Sequence, residues 1–158
     1  LLGVQVIGTG AVDKVTDIGV TAISLEATVD QLAAMDFAYA PPFSTAIHPF
    51  AQSINILMNK MDGTLDSITP VEFAEGAAED YEIIDCALAP SLEGKRYLSP
   101  TDVNGEVEGL GKEDKLLLIC AKGKRAYLTQ NRLKYYGYTN TKVLEGGTTF
   151  TEIDTDEE

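Results

Sequence analysis

Leu116-Leu117-Leu118-Ile119-Cys120-Ala121-Lys122-Gly123-Lys124-Arg125-Ala126 decides how this chain is read. Four consecutive apolar residues match a central parallel strand covered on both faces. Lys124 to about Tyr136 fits a helix that Gly137 stops. Cys120 therefore sits where a buried strand ends and a helix begins. Backbone N–H groups of such a loop can converge on the sulfur, and the helix N-terminus adds partial positive charge. Lys122, Lys124 and Arg125 add full charges, so every nearby influence favours thiolate over thiol. Gly123 permits the positive φ that a tight cradle needs. The alternative is that Cys120 is a small buried hydrophobe closing a core strand.

Elements on either side extend the pattern. Tyr81-Glu82-Ile83-Ile84-Asp85 and Lys142-Val143-Leu144 read as strands. Ser99-Pro100-Thr101-Asp102 starts a helix that should end near Gly109, and Gly146-Gly147 turns into a last helical piece around Thr148 to Ile153. Strands alternating with helices predict an α/β domain with a parallel sheet and helices on both faces. Thr69-Pro70-Val71-Glu72 is a capping box with proline at the first helical position, and it opens this domain.

The first half is built differently. Leu1 to Gly8 reads as a strand, and Asp13 to about Ala27 as a helix. Thr28-Val29-Asp30-Gln31 is a second capping box, and Pro49 to about Asn59 a second long helix. The prolines of Tyr39-Ala40-Pro41-Pro42-Phe43 predict extended chain. His48, beside Pro49, reads as a surface or cap residue, and Gly8-Thr9-Gly10 as a turn, since no third glycine completes a dinucleotide fingerprint. The polar Lys60–Ser67 stretch separates two domains, with residues 1–62 first, a linker over 63–68, the second domain over 69–153 and an acidic tail at 154–158. A strand at the very first residue, with no initiator methionine and no basic flank of a signal peptide, reads as part of a larger chain.

Composition narrows the function. The chain has 158 residues, 25 acids, 12 bases and one histidine, a net charge of −13. Such acidity argues against a nucleic-acid backbone as partner. One histidine and two well-separated cysteines do not make a common zinc or iron–sulfur site, nor a secreted disulfide scaffold. No apolar run approaches the ~20 residues that span a bilayer, so a cytoplasmic location is expected. Yet seven of the twelve bases fall between Lys112 and Lys134, around Cys120. The global charge is a poor guide to the field at that thiol.

Residues Cys120 to Arg125 resemble the six-residue active-site loop of the rhodanese (sulfurtransferase) family. Ile83-Ile84-Asp85 resembles its first strand with aspartate, and Leu98-Ser99-Pro100 its short strand before a helix. Leu144-Glu145-Gly146-Gly147 resembles the closing Gly-Gly signature, with Phe150 where an aromatic is usual. The resemblance implies that Cys120 takes up a sulfane sulfur as a persulfide, with Arg125 as the second catalytic residue. Ala121, Lys122, Gly123 and Lys124 would complete the substrate loop, and Asp85, Gly146 and Gly147 would be structural. Cys-x4-Arg is one residue shorter than the phosphate-sized loop of related phosphatases. The chain departs from the family after Asp85, where Cys86-Ala87 replaces the usual arginine, and in a shortened stretch before Leu98. Lys95 and Arg96 are the candidates to replace that charge. Cys86 is either a core cysteine or a resolving thiol facing Cys120.

Leu2 to Gly8, Val12-Asp13-Lys14, Thr28 to Leu32 and Tyr39 to Ser44 together resemble another family. It is the C-terminal dimerisation domain of FAD-dependent pyridine nucleotide-disulfide oxidoreductases, nearest the coenzyme A-disulfide reductase and NADH-dependent persulfide reductase group. Some members carry a fused rhodanese domain in this order. The resemblance implies an incomplete α+β dimerisation domain, a homodimer, and a role for Tyr39 in lining a coenzyme A site. It also implies that FAD, NAD(P)H and coenzyme A belong to a parent flavoprotein, an oxidoreductase acting on persulfide, polysulfide, thiosulfate or CoA-disulfide. This chain alone would hold no cofactor or metal, and would show sulfurtransferase activity at most, without oxidising NADH. The opposing reading is a non-catalytic rhodanese-like interaction or regulatory module beside a dimerisation scaffold.

Overall fold

The computed structural model describes residues 1–40 and 42–153, in two compact units, Leu1–Asp62 and Gly63–Glu158. Pro41 and the acidic tail at 154–158 lie outside the described residues.

The first unit carries three helices, α1 (Val12–Ser24), α2 (Val29–Ala33) and α3 (Pro49–Met61). The expected capping box starts α2: Thr28 Oγ1 accepts from the Gln31 amide, and Gln31 Oε1 accepts from the Thr28 amide at 2.9 Å. His48 caps α3, its Nδ1 accepting from the Phe50 amide at 3.2 Å. Ala22, Leu32, Phe50 and Ile54 form the buried centre. α1 ends earlier than its apolar spacing predicts, because Glu26 adopts φ +53° and takes the chain out of the helical region.

Two expectations for this unit are corrected. Leu1 to Gly8 is not a strand, and the described residues of the unit are helical rather than α+β. A ladder needs a second extended backbone alongside, and helices offer none. Leu1 and Val4 instead pack their side chains into the helical cluster. The residues after Pro41, which itself lies outside the described residues, also depart from the extended chain predicted, since the amides of Phe43 and Ser44 both donate to Ala40 O at 2.8 Å. Proline's fixed φ suits a turn as well as an extended segment.

The second unit is a five-stranded, all-parallel sheet in the order β1-β5-β4-β2-β3. The strands are β1 (Ser67–Ile68), β2 (Glu82–Asp85), β3 (Arg96–Tyr97), β4 (Leu116–Ile119) and β5 (Thr141–Leu144). β4 is central and wholly buried, as its unbroken apolar run requires. Its side chains alternate between two cores. Leu116, Leu118 and Cys120 share one with Ile84, Cys86, Ala126, Leu133 and Tyr138. Leu117 and Ile119 share the other with Ile68, Leu144, Phe73 and Leu92. α5 (Lys124–Tyr135) covers the first face, and α4 (Pro70–Ala74) contributes Phe73 to the second. Thr69 and Glu72 form the predicted box at the start of α4, and Gly137, at φ +88°, follows the end of α5.

Two further segments differ from expectation. Ser67 and Ile68, read as linker, form the edge strand β1 against Val143 and Leu144 of β5. Two residues are too short a run for periodicity to detect. The helix expected from Pro100 to Gly109 is a single 3₁₀ turn, Pro100–Asp102. Asn104 Nδ2 donates to Thr101 O at 2.8 Å, a side-chain bond that competes with the helical ladder, and Val103 turns to ψ 87°.

Gln130, buried on α5, secures the edge strand. Its Nε2 donates to Asp66 O at 2.7 Å and Thr141 O at 2.8 Å, and its Oε1 accepts from the Asp66 amide at 3.2 Å. Gln130→Leu strands these backbone groups. It should cost about 1–3 kcal/mol, read as a lowered urea midpoint with unchanged slope.

Candidate functional site

Cys120 is the residue after β4, at the carboxyl end of the sheet, where ligands of open parallel sheets gather. It is 5% exposed. Residues 121–123 bend the chain into α5, whose N-cap Gly123 adopts φ +84°. No side chain caps that helix, so protein side chains leave its first-turn N–H groups open.

The loop is gripped from behind by the 3₁₀ turn Gly147–Thr149. The amide of Thr148 donates to Cys120 O at 3.2 Å and that of Thr149 to Ala121 O at 3.1 Å. Thr149 Oγ1 also donates to Ala121 O, at 2.6 Å. With no cis peptide among the described residues, each carbonyl turned toward this grip sends the following N–H the other way. The amides of Ala121 and Lys122 thus point away from the grip. Gly147 makes the approach possible: a Cβ there would stand 1.7 Å from Cys120 O. Its φ of +54° also favours glycine. At Gly146 a Cβ would come within 2.5 Å of the Phe150 ring.

Arg125 ties the loop to the neighbouring strand. Its Nε donates to Cys86 O at 3.0 Å and its Nη2 to Ser99 Oγ at 3.4 Å. Lys122 and Lys124 are exposed beside it. Asp85 is 1% exposed and organises the segment after β2. Its Oδ1 accepts from the Ala87 amide at 2.9 Å, and its Oδ2 from the amides of Ser91 and Leu92. The Tyr97 hydroxyl reaches the carbonyls of Ala87 and Leu88, at 3.3 and 3.2 Å. Arg96 does not restore the charge absent at Ala87, because its guanidinium donates to the carbonyls of Glu108 and Gly109.

The structure thus brings Cys120, Ala121, Lys122, Gly123, Lys124, Arg125, Gly146 and Gly147 together, with Asp85 at the end of the adjacent strand. Tyr39 belongs to the first unit and is exposed. Ser99 and Thr149 support the site and, like Gln130 at the edge strand, escape a sequence reading, because each acts on a residue distant in the chain. Among the described residues no His, Cys, Asp and Glu cluster could hold a metal ion, and no described helix is long and apolar enough to cross a membrane.

Cys86 is fully buried, and burial pushes its thiol up to about 12, with the charges at Cys120 and Asp85 adding to the effect. The folded state therefore holds this proton at pH values where the unfolded chain has released it. The stabilisation is complete below about pH 9, the ordinary value, and is lost as pH rises through 12. Cys86→Val should flatten the alkaline limb of the stability profile, measured by urea unfolding across that window. Gly147→Ala should do damage of another kind. It should cost about 1–3 kcal/mol through overpacking and displace the Cys120 loop, seen as altered alkylation of Cys120 in the folded protein.

Among solved structures, the chain is similar to a NAD-dependent persulfide reductase from A. fulgidus, at 32% identity and a TM-score of 0.75. That match covers 90% of this chain and 26% of the other. Reduced CoADR-RHD from Bacillus anthracis shares the fold at 24% identity and a TM-score of 0.76, over 87% of this chain and 26% of that one. The chain thus spans about a quarter of the length of either protein. No curated protein matches it. The model of the rhodanese-like domain matches residues 59–149, more than half of the sequence and the whole sheet that carries Cys120. The chain belongs to the rhodanese-like domain family.

Proposed function

We propose that Cys120 carries a sulfane sulfur as a persulfide and passes it to a nucleophile. The observation that supports this most is the placement of Cys120 between the end of a buried parallel strand and an uncapped helix start, in a loop whose Cys120 and Ala121 carbonyls are bound by the 3₁₀ turn Gly147–Thr149. The Cys120 thiolate attacks the outer sulfur of the donor, forming an S–S bond. With thiosulfate as donor, sulfite leaves with the electron pair. The terminal persulfide sulfur bears the negative charge, and the loop amides, the α5 N-terminus and the nearby cations stabilise it. Cyanide then takes that sulfur as thiocyanate, and Cys120 recovers its thiolate. In this reading Arg125 sets the loop against β2 and contributes charge, and the exposed Lys122 and Lys124 attract anionic donors.

The same reading extends to a larger protein. We propose that the two units form the C-terminal part of a flavin-dependent reductase of persulfide, polysulfide or CoA-disulfide. FAD and NAD(P)H would be bound outside these residues. The likeness to the persulfide reductase supports this, because a match over 90% of the chain takes in most of the first unit. The first unit would pair two subunits. Leu2, Ile7, Phe43, Ile47 and Ile56 are exposed on it, as an apolar association surface requires. The exposed Tyr39 is the residue of this unit we assign to a coenzyme A site.

The test is thiocyanate formation from thiosulfate and cyanide. The native chain should turn over, Cys120→Ala should fall to background, and Arg125→Lys should lose most of the activity because a lysine cannot make both guanidinium contacts. An inactive native chain would instead assign the second unit a non-catalytic interaction role, and an active Cys120→Ala would overturn Cys120 as the sulfur carrier.

A further inference from the structure

Cys86 is a free, buried thiol that the sulfur-transfer scheme leaves unused. The sheet fixes its position. β2 and β4 are neighbouring parallel strands with Asp85 opposite Ile119, and one further step of that register sets Cys86 opposite Cys120. The amide of Cys86 donates to Ile119 O at 2.6 Å, so the pairing persists to this step. Both cysteines belong to the apolar cluster beneath α5, which puts their side chains on the same face of the sheet. Adjacent strands lie about 4.8 Å apart, inside the roughly 4.4–6.8 Å between Cα atoms that a disulfide spans.

We infer that Cys86 is the resolving thiol for oxidised Cys120, so that attack by a hydroperoxide ends in a reversible Cys86–Cys120 disulfide and not in an irreversible sulfinic acid. The inference rests on the reading of Cys120 as the reactive thiol. In the first step the Cys120 sulfur attacks the O–O bond of the hydroperoxide. An S–O bond forms, water or an alcohol leaves, and Cys120 becomes a sulfenic acid, oxidised by two electrons. In the second, the Cys86 sulfur displaces the hydroxyl group. The S–S bond forms, the S–O bond breaks, and the Cys86 proton departs with the hydroxide as water. A dithiol reductant returns both residues to thiols.

Burial divides the labour between the two cysteines. A thiol held protonated at neutral pH is a weak nucleophile and does not intercept the persulfide during ordinary transfer. A sulfenic acid is a stronger electrophile, and beneath α5 its nearest thiol is Cys86.

The test treats the full chain with hydrogen peroxide in the absence of sulfur donor, followed by peptide mapping by mass spectrometry and assay of sulfur transfer before and after dithiothreitol. The native chain should show a Cys86–Cys120 link and recover its activity on reduction. Cys86→Val and Cys86→Ala, checked for folding by thermal melts, should accumulate sulfinic acid at Cys120 and lose activity irreversibly, several-fold faster than the native chain. Sulfinic acid forming in the native chain at the variants' rate, without the link, would overturn the inference while leaving the sulfur-transfer reading intact. A Cys120 that neither reacts with peroxide nor transfers sulfur would overturn both.

Discussion

Gly147 lies closer to the backbone of Cys120 than any side chain would allow, and the site depends on that contact. Because the 3₁₀ turn it begins can press against the loop, the carbonyls of Cys120 and Ala121 find donors there. Because those carbonyls turn one way, the next amides turn the other. The orientation of the loop's donors is thus set from behind, by backbone contacts, before any ligand arrives. In the proposed sulfur transfer, polar groups held in this way need no reorganisation as charge develops on the sulfur.

Two charged side chains do architectural work around this centre. Asp85 gathers amides from the segment after β2, and Arg125 reaches the carbonyl of the very next residue and the hydroxyl of Ser99. The carboxyl ends of β2 and β4 and the turn after β3 are thereby joined through one short region. The shortened segment before Leu98 is compatible with an ordered wall, because Asp85 and the Tyr97 hydroxyl take up its backbone groups. What the segment does not restore is positive charge: Ala87 has none, and Arg96 is spent on carbonyls elsewhere.

The legible parts of this chain were those written locally. Four apolar residues in a row made β4, a threonine with a glutamate or glutamine three residues on made each capping box, and a strand–loop–helix junction located Cys120. The illegible parts depend on partners far along the chain. Nothing near Gln130 announces that it holds Asp66, and nothing near Ser67 announces that it pairs with Val143. Leu1 to Gly8 has strand composition, yet strand formation is a property of two segments and not of one. The 3₁₀ turn after Ser99 shows the reverse case, where a sound helix start is overruled by the side chain of Asn104, five residues on.

The edge strand has a kinetic consequence. β1 opens the second unit in sequence yet pairs only with β5, at its far end, so closing the sheet joins segments separated by almost the entire unit. Parallel pairings of such long separation fold slowly, since the loop entropy is spent before the contacts form. During synthesis, the apolar β4 emerges before its neighbour β5 exists, with one flank unpaired. A nascent chain at that stage exposes a sticky hydrophobic ribbon. The interval before β5 arrives is when this protein is most open to misassembly.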